Sequence, residues 1–418
     1  MDDFNLRQGA LHAEDVPVSA IADAVGTPAF IYSKATLLGH LDRIEQAYAP
    51  VQPLIRYAVK ANSNLAILKT FADRGVGFDV VSRGEIYRVL QAGGEASLID
   101  FAGVGKRRDE IEYALEVGID TFNVESEPEL DLIDDVARKL GRTARVSLRV
   151  NPDVDPQTHA YISTGKREDK FGLDMERARR MAETIGEHSG VRLTGLHVHI
   201  GSQITSVQPY VETVGRLLKF ADDLRGFHPL LDSINIGGGF GIHYRVNEAP
   251  EIHEYADAIV PALKESGFKI HMEPGRILVG NAGILVTRVL FVKQSGDKRF
   301  LICDAAMNDL IRPALYDAFH RVEPVEPREG AATAADLVGP VCESGDFFAK
   351  DRDLPPVSPG DLFAVRSAGA YSFVMASNYN SRPRAAEVLV DGERFGIVRR
   401  RESEADLIRG ESAEPDWK

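Results

Sequence analysis

Short apolar segments alternate with longer segments of helical periodicity over the first two thirds of the chain. Glycine often closes the helical segments, as in EIYRVLQAGG and DEIEYALEVG, and the apolar segments are typical of buried strands. In chain order, the predicted strands are LIRYAVK (54–60), GFDVVS (77–82), LIDFAG (98–103), DTFNVES (120–126), RVSLRVNP (145–152), LTGLHVHIGS (193–202), SINIGGGF (233–240) and KIHMEPGR (269–276). Strand followed by helix, eight times over, predicts an α/β fold in which a parallel sheet closes into a (β/α)8 TIM barrel over residues 35–280.

The pattern changes after residue 280, where strands follow one another with short turns and little helix between them. The segments concerned are AGILVTRVLFVKQ, RFLICDAA, DLVGPVCE, GDLFAVRSAGAYS and AAEVLVDGERFGIVRR. We expect a second, mostly antiparallel β-domain, sandwich-like or barrel-like, built from residues 1–34 and 281–418. TPAFIYS (27–33) precedes the first barrel helix and is expected to add a strand to this domain.

Composition narrows the possible partners and compartments. A chain of 418 residues exceeds one ordinary core, which agrees with two domains. The net charge of −14, with no basic cluster, argues against nucleic acid as a partner, and no apolar run reaches the length of a membrane span. The first residues do not predict a secretion signal, and Cys303 and Cys342 cannot form a disulfide framework. We therefore expect a cytoplasmic protein.

Polar residues and glycines gather at the carboxyl ends of the predicted strands, the face where TIM barrels carry their active sites. These residues are Lys60, Asp79, Ser82, His197, His199, Gly201, Ser202, Gly237, Gly238, Gly239, Glu273, Pro274, Gly275 and Arg276. Each has a simpler explanation when taken alone. Lys60 could be the first solvated residue after a strand, the three glycines a tight turn, and Glu273 with Arg276 an ordinary ion pair.

The residues at these strand ends could form either of two sites, one for a metal ion and one for a cofactor. His197 and His199 point to the same side of a strand, as zinc ligands do, and Glu273 could complete such a site. Neither a cysteine nor a third histidine sits at a neighbouring strand end, so we expect no metal. A lysine, a glycine-rich phosphate cradle, an imidazole and a carboxylate are instead what pyridoxal 5'-phosphate requires. Lysine binds this cofactor covalently, and a carboxylate keeps its ring nitrogen protonated.

Several motifs carry a family resemblance. YAVKAN, FDVVSRGE (78–85), GLHVHIGSQ (195–203), GGGFG (237–241) and MEPGR (272–276) resemble the fold-type III, alanine-racemase-like pyridoxal phosphate decarboxylases. Three later stretches are similar to the branch that converts meso-2,6-diaminopimelate to L-lysine and CO2: DAAMNDLIRPALYDAFH (304–320), GPVCESGDFFAKDRDLP (339–355) and GAYSFVMASNYNSRPRAAEVLV (369–390). The resemblance runs from about residue 4 to residue 410.

The resemblance implies a role for each matching position. Lys60 would hold the cofactor, His199 would stack on it, and Asp79 would lie near both. The phosphate and ring nitrogen would be held by Ser202, Gly237, Gly238, Gly239, Glu273, Pro274, Gly275 and Arg276. The distal carboxylate of the substrate would meet Arg276, Arg312 and Tyr316, while Tyr371 would contact cofactor and substrate. Cys342 as proton donor and Glu343 as the contact for the distal ammonium would come from the partner subunit of a homodimer.

The sequence alone leaves other interpretations open. Cys342 could equally be a small core residue. The substrate could be ornithine, arginine or carboxynorspermidine, as in related decarboxylases of polyamine pathways. A racemase is disfavoured, because in that branch an arginine meets the ring nitrogen where this chain has Glu273. A regulator that has lost the cofactor is disfavoured by the joint presence of Lys60, the glycine cradle and Glu273.

Overall fold

A computed structural model describes residues 2–155, 170–245 and 248–418. Its strands are β1 (Phe4–Arg7), β2 (Ala10–Ala13), β3 (Val16–Pro17), β4 (Ala29–Ser33), β5 (Leu54–Ala58), β6 (Gly77–Val80), β7 (Ile99–Phe101), β8 (Thr121–Val124), β9 (Ala144–Asn151), β10 (Leu173–Asp174), β11 (Val191–His197), β12 (Ser233–Asn235), β13 (Lys269–Met272), β14 (Gly283–Ser295), β15 (Lys298–Cys303), β16 (Val322–Pro324), β17 (Thr333–Val338), β18 (Phe347–Leu354), β19 (Leu362–Val365), β20 (Ala386–Asp391) and β21 (Arg394–Arg399). Its helices are α1 (Val18–Val25), α2 (Lys34–Ala47), α3 (Leu65–Ala72), α4 (Arg83–Gln91), α5 (Arg108–Val117), α6 (Glu127–Lys139), α7 (Met175–Thr184), α8 (Gln208–Arg225), α9 (Ile252–Ser266), α10 (Arg276–Val279), α11 (Arg312–Tyr316) and α12 (Glu404–Leu407).

The chain divides into two compact units, one of residues Leu37–Val279 and one of residues Met1–Thr36 with Gly280–Lys418. We call the first the barrel unit and the second the β unit. None of the helices in the described ranges combines the length and the apolar character needed to cross a bilayer.

The barrel unit contains the predicted closed parallel barrel. Strands β5, β6, β7, β8, β9, β11, β12 and β13 pair in that order, and β13 returns to β5. Every residue of β6, β7 and β8 is buried, as expected for strands covered on both faces. The eight predicted barrel strands are confirmed, and the short strand β10, which pairs with β9, was not predicted.

A helix cap fixes where strand β6 of the barrel ends and helix α4 begins. The side chain of Ser82 accepts a hydrogen bond from the Glu85 backbone N–H (3.2 Å), and Glu85 Oε2 accepts one from the Val81 N–H (2.7 Å). These two hydrogen bonds cap the start of α4, which follows β6 after two residues. The SRGE part of the FDVVSRGE motif therefore serves the helix, while Asp79 stays in the strand.

Strand six is shorter than the sequence predicts. The apolar run LTGLHVHIGS suggests a strand to residue 202, but β11 ends at His197. The chain turns there because it must approach the end of strand seven. A Cβ on Gly239 would overlap the carbonyl oxygen of Gly201, and the Ile204 N–H donates to the Gly239 carbonyl at 3.0 Å.

The β unit is built on a nine-stranded sheet in which β14 is central. Along it, β14 pairs antiparallel with β4, β15 and β19, while β4 pairs parallel with β20 and β15 pairs parallel with β17. The predicted mostly antiparallel domain and the added strand from TPAFIYS are both confirmed. The predicted strand DLVGPVCE ends early, because β17 stops at Val338 and residues 339–346 form a loop. Strands β1–β3, β16 and β18 were not predicted.

Candidate active site

Lys60 lies directly beyond β5, in a single 3-10 turn formed by Val59–Ala61. Tyr57 and Val59 are buried beside it, whereas the Lys60 side chain is 34% exposed. Its ammonium donates a hydrogen bond of 2.5 Å to Oδ2 of Asp79, whose side chain is fully buried at the end of β6. A lysine held against a buried carboxylate at a barrel rim is positioned for chemistry, unlike a solvated residue after a strand.

Glu273 follows β13 and is almost fully buried. Its Oε1 accepts hydrogen bonds from the side-chain amides of Asn235 (2.6 Å) and Asn123 (3.3 Å), and its Oε2 lies 3.0 Å from Nε2 of His197. Burial, followed by the nearby charge of Asp79, raises the pKa of Glu273 to about 7. The carboxyl is thus fixed on both oxygens, with a proton affinity suited to a basic ring nitrogen.

His197 and His199, the two histidines of the HVH motif, make different contacts. Burial, reinforced by the charge of Arg149, lowers the pKa of His197 to about 3, so this imidazole is neutral and its Nε2–H donates to Glu273. Burial and then the charge of Lys60 hold the pKa of His199 well below its usual value. His199 Nδ1 accepts from the Gly238 N–H at 3.2 Å, which fixes the orientation of a neutral, flat ring.

Gly237, Gly238 and Gly239 are held by close backbone approach. Gly237 and Gly239 adopt positive φ angles of 68° and 96°, which side-chain-bearing residues rarely take. A Cβ on Gly237 would overlap the carbonyl oxygen of Val198, and one on Gly238 would overlap that of Glu273. These glycines therefore allow the ends of three neighbouring strands to pack backbone against backbone.

Ser202 and Arg276 meet beside this turn. Arg276 begins α10, and its guanidinium donates to Oγ of Ser202 (3.1 Å) and to the hydroxyl of Tyr244 (2.6 Å). In the same stretch, a Cβ on Gly275 would lie 3.1 Å from the Cβ of Ala58, so the strand-eight end packs closely on the strand-one end. A buried arginine held between two hydroxyls suits a phosphate or carboxylate.

Of the predicted substrate residues, Arg312, Tyr316, Glu343 and Tyr371 lie in the β unit, in segments that hydrogen bonds connect. The Met307 N–H donates to Asp346 (2.7 Å), the Ser377 N–H to the Asn308 carbonyl (2.9 Å), and the Cys342 N–H to the Asn380 side chain (2.9 Å). The three stretches that narrow the resemblance thus form one connected surface.

Arg312 is buried at the start of α11, and His320 orients it. His320 Nδ1 lies 2.8 Å from the carbonyl oxygen of Arg366, which can only accept, so Nδ1 carries the proton. Nε2 of the neutral ring therefore accepts from Nη1 of Arg312, at 2.8 Å. Tyr316, four residues further on, is half-buried.

Cys342 and Glu343 are exposed, which rules out the reading of Cys342 as a core residue. The hydroxyl of Tyr379 reaches Oε2 of Glu343 at 3.5 Å. Tyr371 has a φ angle of 54°, a strained value for a bulky residue. Such strain persists where the surrounding structure enforces it, and it is concentrated at functional sites.

Comparison with known proteins identifies the family. Residues 34–280 match the sequence model described as "Pyridoxal-dependent decarboxylase, pyridoxal binding domain". The chain belongs to this family. It is 50% identical to diaminopimelate decarboxylase of Pseudomonas aeruginosa over 99% of this chain and 100% of that protein. Among solved structures, diaminopimelate decarboxylase from Helicobacter pylori complexed with L-lysine superposes with a TM-score of 0.90, at 40% identity, over 94% of this chain and 98% of that one. The enzyme from M. jannaschii in co-complex with L-lysine gives 0.94, at 35% identity, over 99% and 98%.

The cofactor of this family is pyridoxal phosphate, and the residues present fit it. Gly237–Gly239 carry no side chains, so their backbone can approach a phosphate, and Arg276 offers a cation beside Ser202. Asp79 Oδ1 is buried and has no hydrogen-bond partner among the described residues, as expected where a ligand supplies one.

Several residues of the site escaped the sequence analysis, namely Asp100, Asn123, Asn235, Tyr244 and His320. The first three have a recognisable signal, since each is a polar residue between apolar neighbours in or at the end of a barrel strand, as in IDF, FNV and INI. Tyr244 and His320 lie in loops and carry no comparable signal.

Proposed function

We propose that this chain is a carboxy-lyase that converts meso-2,6-diaminopimelate to L-lysine and CO2. Likeness to proteins named diaminopimelate decarboxylase along the whole chain, including two solved with L-lysine, carries the proposal. This reaction would be the last step in making lysine.

In this proposal the barrel unit supplies the reaction centre. Bound pyridoxal phosphate supplies an electron sink for the electron pair left when the substrate loses CO2. Lys60 binds the cofactor and Asp79 orients the lysine ammonium. Glu273 holds the proton at the ring nitrogen, and the His199 imidazole, anchored by Gly238, covers the ring face.

The remaining residues bind the phosphate and the substrate. Gly237–Gly239, Ser202 and Pro274–Arg276 hold the phosphate end. Arg312, fixed by His320, forms a planar fork for the distal carboxylate, assisted by Arg276 and Tyr316. Glu343 takes the distal ammonium, and Tyr371 contacts both molecules. Substrates without a distal carboxylate would leave a buried arginine without its anion, which is a strong basis for rejection.

We further propose a homodimer with composite sites, in which Cys342 of one chain donates the proton to the reacting carbon in the other. Two features support this. Cys342 and Glu343 are exposed in the single chain, and β14 exposes three consecutive apolar residues, Leu290, Phe291 and Val292. Exposed apolar patches mark interaction surfaces. A thiol with this role must stay reduced, which favours a cytoplasmic location.

The substrate is tested by incubating the purified protein with meso-diaminopimelate, its LL isomer and ornithine, while lysine and CO2 are measured. We expect turnover of the meso isomer alone, because only it offers a D centre at one end and an L centre at the other. Faster CO2 release from ornithine would instead identify a decarboxylase of the polyamine type.

The composite site is tested by mixing two inactive variants, Lys60→Ala and Cys342→Ala. A mixed dimer has one intact site and one site with both lesions, and random exchange makes about half of all dimers mixed. Activity should therefore return to roughly a quarter of the wild-type value. Wild-type protein taken through the same exchange is the control. If mass measurements confirm exchange and no activity returns, Cys342 does not act across the interface.

A further inference from the structure

A second buried carboxylate, that of Asp100, lies near Glu273 inside the barrel. Asp100, in the centre of β7, is fully buried, and its Oδ2 accepts hydrogen bonds from the side-chain amides of Asn235 (3.2 Å) and Asn123 (3.3 Å). The same two amide nitrogens reach Oε1 of Glu273, at 2.6 Å and 3.3 Å. Each amide group has two hydrogens, one for each carboxylate, so the two acids are bridged twice.

The bridged acids lie close together. One oxygen each of Asp79, Asp100 and Glu273 falls within 4.8 Å of the others. The partners of Glu273 described above are neutral donors, two amides and an uncharged imidazole. The cation beside the pair, Arg56, lies on the Asp100 side, with Nη1 at 3.3 Å from Oδ2, and it is shared with Asp120.

Such an arrangement favours one shared proton. Two buried carboxylates at this separation do not both ionise readily near neutral pH. Burial raises the pKa of Asp100 well above its usual value, against the opposing charge of Arg56, and burial likewise raises that of Glu273. Asp100 Oδ1 has no hydrogen-bond partner among the described residues, and a proton on the pair lowers the cost of that burial. The other titratable or charged groups around the pair are Lys60, Asp79, Arg149, His197, Asp120 and His271.

We propose that Asp100 is a positioning residue for Glu273: through Asn123 and Asn235 it fixes the Glu273 carboxyl and shares one proton with it. The pair then carries the proton that a basic ring nitrogen needs, so the proton affinity at that nitrogen is set by two acids. The proposal rests on the role proposed above for Glu273, but the proton sharing concerns only this chain's own residues.

Infrared difference spectroscopy of the full-length chain tests the sharing directly, without reference to activity. The carbonyl stretch of a protonated carboxyl group is followed against pH in the cofactor-free protein, and circular dichroism confirms folding. Wild type should show a carboxyl band that ionises near pH 7, to which Glu85 and Asp309 contribute as well as the bridged pair, since burial raises the pKa values of Glu85, Asp309 and Glu273 to about 7. Asp100→Asn and Glu273→Gln should each remove one carboxyl from that band, or shift the pair's share of it down by more than about one pH unit, because each removes one of the two bridged acids while Asp79 stays in place.

Independent acids would behave differently. If Asp100→Asn or Glu273→Gln leaves the whole near-neutral band of wild type in place, with its midpoint unchanged, the acids titrate separately and the proposal is wrong. Asn123→Ser gives a second test, in which the midpoint of the band should shift in the opposite direction. It removes one donor to both carboxylates but keeps both acids, so the midpoint should rise. A fall in Asn123→Ser would contradict the bridge.

The cofactor supplies the link to function. The dissociation constant of pyridoxal phosphate, measured by its visible absorbance, should increase about tenfold for each pKa unit lost by the pair in Asp100→Asn. If the infrared spectra change as expected but the dissociation constant does not, Asp100 and Glu273 share a proton. In that case the shared proton has no role in holding the ring nitrogen. The proposed role of Glu273 itself would fail separately, if Glu273→Gln bound cofactor and reacted normally.

Discussion

Gly238→Ala tests whether the strand ends are as close as the structure shows. The added Cβ would overlap the carbonyl oxygen of Glu273 so deeply that one of them must move by more than about 1 Å. Gly238 does not have a positive φ, so alanine could adopt its backbone conformation and the effect is purely steric. The movement would fall on Glu273, whose carboxylate is proposed to hold the ring nitrogen, and on the Gly238 N–H that orients His199.

The expected size follows from these contacts. Overpacking a buried site costs about 1–3 kcal/mol. Loss of the 2.8 Å hydrogen bond from the Glu273 N–H to the Gly237 carbonyl adds about 1–3 kcal/mol, because both groups are buried. We expect the free energy of unfolding to fall by about 2–6 kcal/mol in total. A shift of 1 Å at a catalytic group lowers the rate of reaction about a hundredfold.

Urea unfolding followed by circular dichroism measures the first effect, and visible absorbance and CO2 release measure cofactor content and rate. Gly215→Ala is the matched control, since Gly215 lies within α8 and its Cβ would meet nothing within 4 Å. That variant should gain about 0.5–1 kcal/mol. If Gly238→Ala matches Gly215→Ala in stability and cofactor content, the close approach of strands seven and eight is wrong.

Three further substitutions test individual roles. Lys60→Ala should abolish turnover while the chain still folds, because the lysine side chain is partly exposed and packs little; loss of its hydrogen bond to the buried Asp79 should cost some stability. Glu273→Gln should retain cofactor but slow CO2 release about a hundredfold, which corresponds to about 2.7 kcal/mol. All three partners of the Glu273 carboxyl donate hydrogen bonds, so the amide N–H of glutamine would face one of these donors. Arg312→Lys should raise KM for meso-diaminopimelate about tenfold and relax discrimination against ornithine, because lysine keeps the charge but loses the planar fork held by His320.

Surface variants of the same type are the controls. Lys69→Ala removes an exposed lysine that pairs with Asp73, and Arg321→Lys alters an exposed arginine that pairs with Glu323. Both should be close to wild type in rate and KM. Substantial turnover by Lys60→Ala, a normal rate for cofactor-saturated Glu273→Gln, or unchanged kinetics of Arg312→Lys would each remove that residue from its proposed role.

The sequence by itself determined the barrel, because its signal is local and repeated. Each apolar run between amphipathic segments has the length of a buried strand, and eight of them in succession leave few alternatives to a closed parallel sheet. The positions of Lys60, Asp79 and Glu273 at the rim follow from the same reasoning. Strand limits were less secure: the apolar run of LTGLHVHIGS extends past His197, where the chain actually turns to meet Gly239.

Only the tertiary structure decided which side chains meet across the barrel. Asp100, Asn123 and Asn235 come from three different strands, and nothing in their local sequence shows that two amides bridge Asp100 to Glu273. The same holds for His320, whose proton location depends on the carbonyl of Arg366, forty-six residues away. Periodicity records whether a residue is buried, since burial is a property of its own position. Hydrogen-bond partners and shared protons depend on distances between strands, and those are set only when the sheet closes.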